Sequence, residues 1–323
     1  MSLFLVYLAG VIGFYIIIYY NVIKCSTCKS TAVLKGKTAI VTGGNTGIGK
    51  TTALDLAKRG ARVILACRNK RRAEAAVFDI RRESGNNEVV YMQLDLGSLK
   101  SVRSFAETFL KTEPRLDLLI NNAGETSGGM IGPGRTEDGF GMVFGVNHLG
   151  HFLLTCLLLD LMKKTGRGRV VNVAALLHRL GTVSFSTLAA HKDLVTGQRT
   201  WDNFQAYCNS KLCNVLFTRE LANRLEGSGI SCFSLHPGVI STELGRNQSW
   251  WLRLPLVPIA KLFFLDAEAG AQTTLHCALQ EGIEPLSGRY FSNCAVQEVS
   301  AKARDDAAAR KLWEVSERLC GLS

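Results

Sequence analysis

Short apolar runs alternate with amphipathic stretches along most of the chain. Each apolar run is bounded by Gly, Asn or Asp, as buried strands usually are. In the first amphipathic stretch Ala53, Leu56 and Ala57 share one helical face, and Gly60 is positioned to end the helix. Such regular alternation predicts βαβ units, and therefore an α/β fold with a doubly wound parallel sheet of about seven strands. The predicted strands cover 38–43, 62–67, 88–95, 116–122, 169–175, 230–238 and 288–292.

The N-terminal segment has a different pattern, because residues 3–23 carry no charged side chain. These 21 residues, LFLVYLAGVIGFYIIIYYNVI, are long enough as a helix to cross about 30 Å of hydrocarbon. No basic residue precedes the run and the following KCSTCK is a poor cleavage site, so a membrane anchor over 1–24 is favoured over a cleaved signal peptide. Between 24 and 72 the chain has twelve Lys or Arg and one acidic residue, which places this side in the cytoplasm and favours an anionic membrane surface.

Composition agrees with the prediction of an α/β domain that follows a membrane anchor. The 323 residues are 47% hydrophobic and no stretch after the anchor resembles a linker, so 36–323 is expected to form a single domain. The formal net charge of +11 is interpreted either as a solvated basic surface or as attraction to lipid headgroups. A nucleic-acid partner fits the other features poorly, and the oligomeric state is not readable from the sequence.

A glycine-rich turn, TGGNTGIG over 42–49, stands between the first predicted strand and the first predicted helix. Glycines there allow a tight turn and a close approach of the backbone to a pyrophosphate, whose charge is met by the N–H groups and positive dipole of the helix start. A glycine-rich turn alone is a weak signal, since a structural turn without a ligand has the same composition. Its placement between strand and helix favours dinucleotide binding.

This turn resembles the Thr-Gly-x-x-x-Gly-x-Gly pattern of the short-chain dehydrogenase/reductase family, and further motifs follow in the family's order. Asp95, closing the third predicted strand, matches the residue that contacts adenine, and NNAG over 121–124 matches the motif after the fourth strand. HPG over 236–238 with Thr242 matches the family's cofactor-binding segment after the sixth strand, and YCNSK contains the family's Tyr-x-x-x-Lys pair. The resemblance covers roughly 36–295 and implies a Rossmann-type fold with a nicotinamide dinucleotide cofactor, so that 36–323 is a single dinucleotide-binding catalytic domain. The predicted cofactor-binding residues are Thr42, Gly43, Asn45, Thr46, Gly47, Ile48, Gly49, Arg68, Asp95, Asn122, Ala123, Gly124, Tyr207, Lys211, Pro237, Gly238 and Thr242.

The end of the second strand distinguishes NADP(H) from NAD(H). An acidic residue there accepts hydrogen bonds from a ribose 2′-hydroxyl and repels a 2′-phosphate, whereas an Arg attracts the phosphate. This sequence has Arg68 directly after Cys67, followed by Asn69 and Lys70. We therefore predict NADP(H) as the cofactor; the alternative is that Arg68 is an ordinary surface cation.

Tyr207 and Lys211 are the candidate catalytic pair. Because they are four residues apart in the predicted helix FQAYCNSKLCNVLFTRELANRL, both side chains emerge on one face. A cation held near the phenol is expected to lower its pKa from about 10 toward neutrality, so that Tyr207 acts as general acid in carbonyl reduction and as base in the reverse direction. The family resemblance implies that Lys211 also holds the nicotinamide ribose and that Asn147 orients a water on the proton path. A Tyr and a Lys at this spacing also occur by chance in many helices, as core and surface residues.

One member of the family's catalytic set is missing. The family has a Ser just past the fifth strand whose hydroxyl donates to the substrate oxygen, but this chain has the sequence NVAAL and places Ala175 there. The loss of one preorganised donor typically lowers turnover by about 10² to 10³. Thr182, Ser184 and Ser186 are candidates to supply the hydroxyl instead. The histidines interpreted as structural or lining residues are His148, His151 and His178.

The substrate pocket is expected to be apolar. The segment between Ala175 and Tyr207 has 31 residues, which is longer than a simple connection requires. The segment GRNQSWWLRLPLVPIAKLFFLDAEAG over 245–270 mixes aromatic, aliphatic and cationic residues, which suits a lid with or without lipid contact. Together with the anchor, the sequences ACRN, NHLGHF, AYCNSKL and HPGV resemble the retinol-dehydrogenase branch of the family. That resemblance implies a membrane-bound protein, for which we expect the endoplasmic reticulum or a related internal membrane; the basic residues after the anchor predict that the catalytic domain faces the cytoplasm.

Two functions are consistent with these features. The first is an oxidoreductase that transfers a hydride between NADP(H) and a lipophilic alcohol/carbonyl pair, with retinol and retinal implied by the resemblance. The second, motivated by Ala175, is a cofactor-binding protein with little turnover that acts as a redox sensor or membrane scaffold. Replacing Ala175 by Ser distinguishes them, because only a site still shaped for chemistry gains rate.

Overall fold

The computed structural model describes residues 26–125, 134–197, 199–238 and 266–322. The predicted membrane anchor over 1–24, Thr242 and most of the predicted lid over 245–270 lie outside the described residues. The described ranges contain one continuous sheet with helices on both faces, which is the doubly wound arrangement that the apolar pattern predicts.

Eight strands form the sheet in the order β3-β2-β1-β4-β5-β6-β7-β8. Strands β1 to β7 are parallel, and β8 pairs antiparallel with β7. All the predicted strands are present, with bounds that differ by at most two residues. The prediction of about seven strands misses β8, whose three residues are exposed and therefore form no apolar run. The strands are β1 Thr38–Thr42, β2 Arg62–Cys67, β3 Val89–Gln93, β4 Leu118–Asn121, β5 Gly168–Val173, β6 Ile230–His236, β7 Tyr290–Ser292 and β8 Ala295–Gln297.

Helices connect most of the strands, and their ends follow the sequence signals. The first helix ends where Gly60 adopts a φ of +88°, and the second ends at Gly85 with a φ of +69°. Short 3₁₀ turns cover Leu176–Leu180, Glu284–Leu286 and Ala301–Arg304. The described helices are α1 Gly47–Lys58, α2 Lys70–Ser84, α3 Leu99–Thr112, α4 Met142–Thr165, α5 Phe185–His191, α6 Thr200–Arg224, α7 Ala267–Leu279 and α8 Asp306–Cys320.

Two apolar cores lie on opposite faces of the sheet. Along β1, Ile40 points into one core and Val41 into the other, as alternation along a strand requires. The first core contains most of the buried aromatic residues, and the second is mainly aliphatic. Because both faces are covered, the strands are apolar throughout rather than alternately polar. The first core includes Phe105 of α3, Phe152 of α4, Phe217 of α6 and Trp313 of α8; the second includes Leu56 of α1, Ile80 of α2 and Leu275 of α7.

Helix α4 is the one helix within the described ranges that is long and apolar enough to cross a membrane. Its most apolar window is 78% buried inside the protein, where it packs against α3 and the first core. Such burial is typical of the central helix of a globular fold. A π-helical turn over Gly145–Leu149 interrupts the start of this helix.

Candidate active site

The strand order reverses between β1 and β4, which both occupy the middle of the sheet. In open parallel sheets the crevice at the carboxyl ends of such strands binds ligands. The carboxyl ends of β1, β4 and β5 carry Thr42, Asn121 and Val173. The predicted cofactor-binding and catalytic residues surround these three strand ends.

The glycine-rich turn after β1 packs closely against the turn after β4. Gly43 has a φ of +65°, and its amide donates to the carbonyl of Ala66 at 2.9 Å. A Cβ on Gly49 would lie 2.5 Å from the side-chain nitrogen of Asn122 and 2.5 Å from the carbonyl oxygen of Gly43. Only glycine fits at position 49 without moving this turn. The turn therefore has the close backbone approach that a pyrophosphate cradle needs.

The amino end of α1 lacks a side-chain cap. Thr46 precedes the helix but makes no capping hydrogen bond, and no acidic residue lies in the first turn. By contrast, α2 and α3 begin with Asn69 and Ser98, whose side chains accept from helix amides. The uncapped N–H groups and the positive helix end of α1 suit a phosphate group, so these residues fit the dinucleotide that the sequence motifs imply. The other predicted phosphate-loop residues in this turn are Asn45, Gly47 and Ile48.

Thr42 connects the glycine-rich turn to the NNAG motif. Its Oγ1 accepts from the amides of Asn122 and Ala123, each at 2.9 Å, and hydrogen-bonds Nε2 of His151 at 2.9 Å. The side chain of Asn122 donates back to the carbonyl of Thr42 at 2.9 Å. Burial lowers the pKa of His151 to about 4, so this ring is neutral and structural, as the sequence interpretation has it. These bonds fix the carboxyl ends of β1 and β4 relative to each other.

Two residues predicted to contact the adenosine half of the cofactor lie at the ends of β2 and β3. Arg68 is exposed directly after β2, and the bond from Gly43 to Ala66 places this strand end beside the glycine-rich turn. Asp95 was expected to close the third strand, but β3 ends at Gln93. Asp95 instead accepts from the amide of Gly97 at 2.9 Å through its side chain, so its carboxylate shapes the turn that leads to α3.

Lys211 lies on α6 with its ammonium buried against β5. Its Nζ donates to the carbonyl of Val173 at 3.0 Å, and a Cβ on Gly124 would lie 3.6 Å from the same atom. The residue is only 3% exposed, and none of its ion pairs or hydrogen bonds within the described ranges involves a carboxylate. Burial lowers the pKa of Lys211 to about 8. The amine is therefore charged but only weakly basic at neutral pH.

Tyr207 lies one helical turn before Lys211, whose Nζ is 5.5 Å from the centroid of the phenol ring. Desolvation raises the pKa of Tyr207 to about 12, which is opposite in direction to the predicted lowering toward neutrality. The physical reason is that the ammonium faces the ring and the Val173 carbonyl, where its attraction for a phenolate is smaller than the cost of burying one. Tyr207 is consequently protonated at neutral pH.

Asn147 lies in the π-helical turn of α4 and is fully buried. Its Oδ1 accepts from the amide of Glu125 at 2.7 Å, and its Nδ2 donates to the carbonyl of Glu125 and to Oγ of Ser210, each at 3.0 Å. Ser210 in turn donates to the carbonyl of Tyr207 at 2.8 Å. Asn147 thus joins α4, the turn after β4 and the catalytic helix, and its role in orienting a water stays a prediction. Ser210 is not among the predicted site residues, because a Ser inside a helix carries no distinctive signal in the sequence.

Ala175 is buried at the position where the family motif has its Ser. Its carbonyl accepts from Nδ1 of His178 at 2.7 Å, which holds the backbone after β5. The three candidate substitutes Thr182, Ser184 and Ser186 are exposed, and the hydroxyls of the last two hydrogen-bond each other at 3.1 Å. They are surface residues near the start of α5, so the structure does not bring them to the buried position of Ala175.

The described residues therefore bring four predicted pieces to one edge of the sheet. These are the glycine-rich turn, the NNAG turn, the Tyr207 and Lys211 pair, and the end of β6 with Pro237 and Gly238. Gly238 has a φ of +94°, which a residue with a side chain rarely adopts. Thr242, the last predicted cofactor contact, lies outside the described residues.

Comparison with known proteins agrees with this geometry. The short chain dehydrogenase family model matches residues 37–197. The chain is 54% identical over 312 residues to dehydrogenase/reductase SDR family member 13 of Bos taurus, covering 96% of this chain and 80% of that protein. It is 48% identical over 307 residues to retinol dehydrogenase 11 of Homo sapiens, covering 94% and 91%. A solved structure of an uncharacterized protein from Mycobacterium Paratuberculosis is similar with a TM-score of 0.70 and 32% identity, covering 92% and 98%. The chain belongs to the short-chain dehydrogenase/reductase family, whose Rossmann-like parallel sheet it shares.

Proposed function

We propose that this protein is an NADP(H)-dependent oxidoreductase that interconverts an alcohol and a carbonyl group on a lipophilic substrate. Family membership supports oxidoreductase activity. The observation that carries the proposal is Lys211, whose ammonium is buried 5.5 Å from the ring centroid of Tyr207. A buried cation that is held by a carbonyl rather than a carboxylate destabilises the fold, and such groups are concentrated at functional sites.

Each residue of the pair has a distinct role in carbonyl reduction. The cofactor, when bound, supplies the hydride for reduction and accepts it in the reverse direction. Tyr207, protonated at neutral pH, donates its proton to the substrate oxygen as negative charge develops there. The Lys211 cation stabilises the phenolate that remains, and the carbonyl of Val173 holds that cation in place.

NADP(H) rather than NAD(H) is the proposed cofactor because of the residue after β2. Arg68 is exposed at the strand end beside the glycine-rich turn, where its guanidinium can pair with a 2′-phosphate. The strand-end position where NAD-specific proteins have an acidic residue is occupied by the buried Cys67. The competing interpretation of Arg68 is a surface cation with no ligand.

A retinoid or a related lipid is the proposed substrate class, and the membrane is the proposed location. The likeness to retinol dehydrogenase 11 supports a lipophilic small molecule. The uncharged run over 3–23 supports an N-terminal membrane anchor, and the basic residues that follow support a cytoplasmic orientation of the catalytic domain. The endoplasmic reticulum or a related internal membrane is consistent with this arrangement.

A second function from another class is supported by one observation, the Ala at position 175. A protein that binds NADP(H) with little turnover, acting as a redox sensor or membrane scaffold, has no need of the Ser hydroxyl. The exposed positions of Thr182, Ser184 and Ser186 favour this alternative, because none of them replaces the missing donor.

The test follows NADPH consumption by the full-length protein in membranes, with all-trans-retinal as substrate. Tyr207→Phe is the matched control, since it removes only the phenolic oxygen. We expect turnover in the native protein that falls at least about a hundredfold in the control. NADPH binding without turnover above the control, across a panel of lipid aldehydes, would reject the enzyme and favour the scaffold.

A further inference from the structure

Three large apolar side chains are exposed beside the candidate active site. Leu176 is 47% exposed, Leu180 is 57% exposed and Trp201 is 69% exposed, and we name these three residues the entrance patch. Gln205 lies one helical turn after Trp201, and its side chain donates to the carbonyl of Leu180 at 3.0 Å. Large apolar side chains exposed on the same side of a fold are candidates for a binding surface.

The entrance patch flanks the catalytic residues in the sequence and in the fold. Leu176 directly follows Ala175, and the turn that carries it leaves the carboxyl end of β5. Trp201 lies at the amino end of α6, six residues before Tyr207 on the same helix. The patch therefore lies on the carboxyl edge of the sheet, as the candidate active site does.

The first described residue, Ser26, lies at this same edge. The amide of Ser26 donates to the side chain of Asn293, and the thiol of Cys294 donates to the carbonyl of Ser26 at 3.2 Å. Asn293 and Cys294 form the turn after β7, and Ser292 at the end of β7 pairs with His236 at the end of β6. The turn, and Ser26 with it, is thus at the carboxyl edge.

From Ser26 the chain runs along α7 toward the opposite edge. The amide of Cys28 donates to the side chain of Gln272 at 2.9 Å, and the hydroxyl of Ser30 donates to the carbonyl of Leu279, the last residue of α7, at 2.9 Å. The chain then enters β1 at its amino end. The described part of the chain therefore begins at the carboxyl edge and crosses to the amino edge before β1.

The linker to the uncharged run is short. Residues 24 to 26 connect the run over 3–23 to the carboxyl edge, and three extended residues span at most about 10 Å. If the run occupies a bilayer, its end holds the carboxyl edge of the sheet within that distance of the membrane surface. The amino edge of the sheet then faces away from the membrane.

Charge on this edge complements an anionic bilayer. Arg179 and Arg199 are exposed next to Leu180 and Trp201, and Nζ of Lys302 donates to the carbonyl of Gly181 at 3.4 Å beside them. Trp with flanking Arg and Lys is the side-chain combination found at the boundary between headgroups and acyl chains. The formal net charge of +11 has the same sign.

We propose that the carboxyl edge of the sheet rests on the membrane, with the entrance patch inserted into the interface of an anionic bilayer. This inference rests on the membrane anchoring proposed above. A lipophilic substrate then passes between the bilayer and the site without crossing water, and the aromatic and aliphatic patch forms the boundary of that path.

The experiment measures quenching of Trp201 by lipid. The full-length protein is reconstituted into vesicles of phosphatidylserine and phosphatidylcholine, with or without bromine on the acyl chains of the latter. The emission of Trp201 is obtained by subtracting the spectrum of Trp201→Phe from that of the native protein. Trp313→Phe serves as the matched control, because Trp313 is 6% exposed and packs against Phe152 and Phe217 in the first core.

We expect brominated lipid to quench the Trp201 emission at least twofold and to leave the Trp313 emission unchanged. Protein that floats with the vesicles while its Trp201 emission is not quenched would overturn the inference and leave the anchoring intact. Protein that does not float with the vesicles would overturn the anchoring, and this inference with it.

Discussion

Replacing Lys211 by Met should remove activity and stabilise the folded protein at the same time. Lys211 is 3% exposed, and its ammonium donates to the carbonyl of Val173 at 3.0 Å. Burial lowers its pKa from the ordinary 10.5 to about 8. Met has nearly the same length and no charge, so it fills the same space without the penalty of burying an ammonium.

The expected gain in the free energy of unfolding follows from the lowered pKa of Lys211. The fall from 10.5 to about 8 corresponds to about 3 kcal/mol by which the folded state disfavours the charged form at pH 7. The lost hydrogen bond to Val173 offsets about 1 kcal/mol of this. That carbonyl keeps a second donor, the side chain of Asn214 at 3.4 Å. The free energy of unfolding of Lys211→Met should therefore exceed that of the native protein by about 2 kcal/mol at pH 7.

The sign of the pH dependence follows from proton uptake. Between pH 8 and 10.5 the unfolded state of the native protein holds the Lys211 proton and the folded state has released it, so stability from this group rises with pH. The advantage of Lys211→Met should consequently disappear by about pH 10. At pH 10 and below the folded Tyr207 stays protonated in both proteins, so its contribution cancels in the difference.

The assay is urea unfolding of the full-length protein in detergent at pH 7 and pH 10, together with NADPH turnover. Lys163→Met on the exposed side of α4 is the control, and we expect its stability to change by less than about 0.5 kcal/mol. A Lys211→Met protein that is less stable than the native protein at pH 7, or whose advantage persists at pH 10, would refute the account of a desolvated cation.

Three further changes test the cofactor site and the missing donor. Arg68→Asp should weaken NADPH binding at least about tenfold without weakening NADH binding, measured by calorimetry against Arg71→Asp on the exposed side of α2. Gly49→Ala should abolish NADPH binding because its Cβ would lie 2.5 Å from Asn122 and Gly43, whereas Gly36→Ala, with a φ of +75° and open space, should lower stability and leave binding unchanged. Ala175→Ser should raise kcat by about 10² to 10³, and a silent Ala175→Ser protein would favour the scaffold.

Periodicity was sufficient to predict the sheet because nearly every strand is buried on both faces. Val63, Ile64 and Leu65 of β2 are all fully buried, and such a run is detectable without knowledge of its neighbours. The β8 strand was missed for the converse reason. Its residues Ala295–Gln297 are exposed and are held in place by pairing with β7, a contact that leaves no pattern in the sequence.

Motif order predicted which residues gather at the carboxyl edge, since parallel strands end there together. It did not predict their electrostatics. The pKa of Tyr207 depends on how deeply the phenol is buried and on where the Lys211 ammonium points, and both are set by packing rather than by spacing. Likewise the bond between Thr42 and His151 joins residues 109 positions apart, so no local signal identifies it.

The most direct test of the central claim is hydride transfer itself. Native protein in vesicles is mixed with all-trans-retinal and NADPH deuterated at the transferred position, and the alcohol formed in a single turnover is analysed by mass spectrometry. We predict deuterium at the carbinol carbon in the native product, and at least about a hundredfold slower transfer in Tyr207→Phe. Bound NADPH with no deuterated alcohol, from retinal or from any other lipid aldehyde tested, would contradict the claim that this site carries out the chemistry.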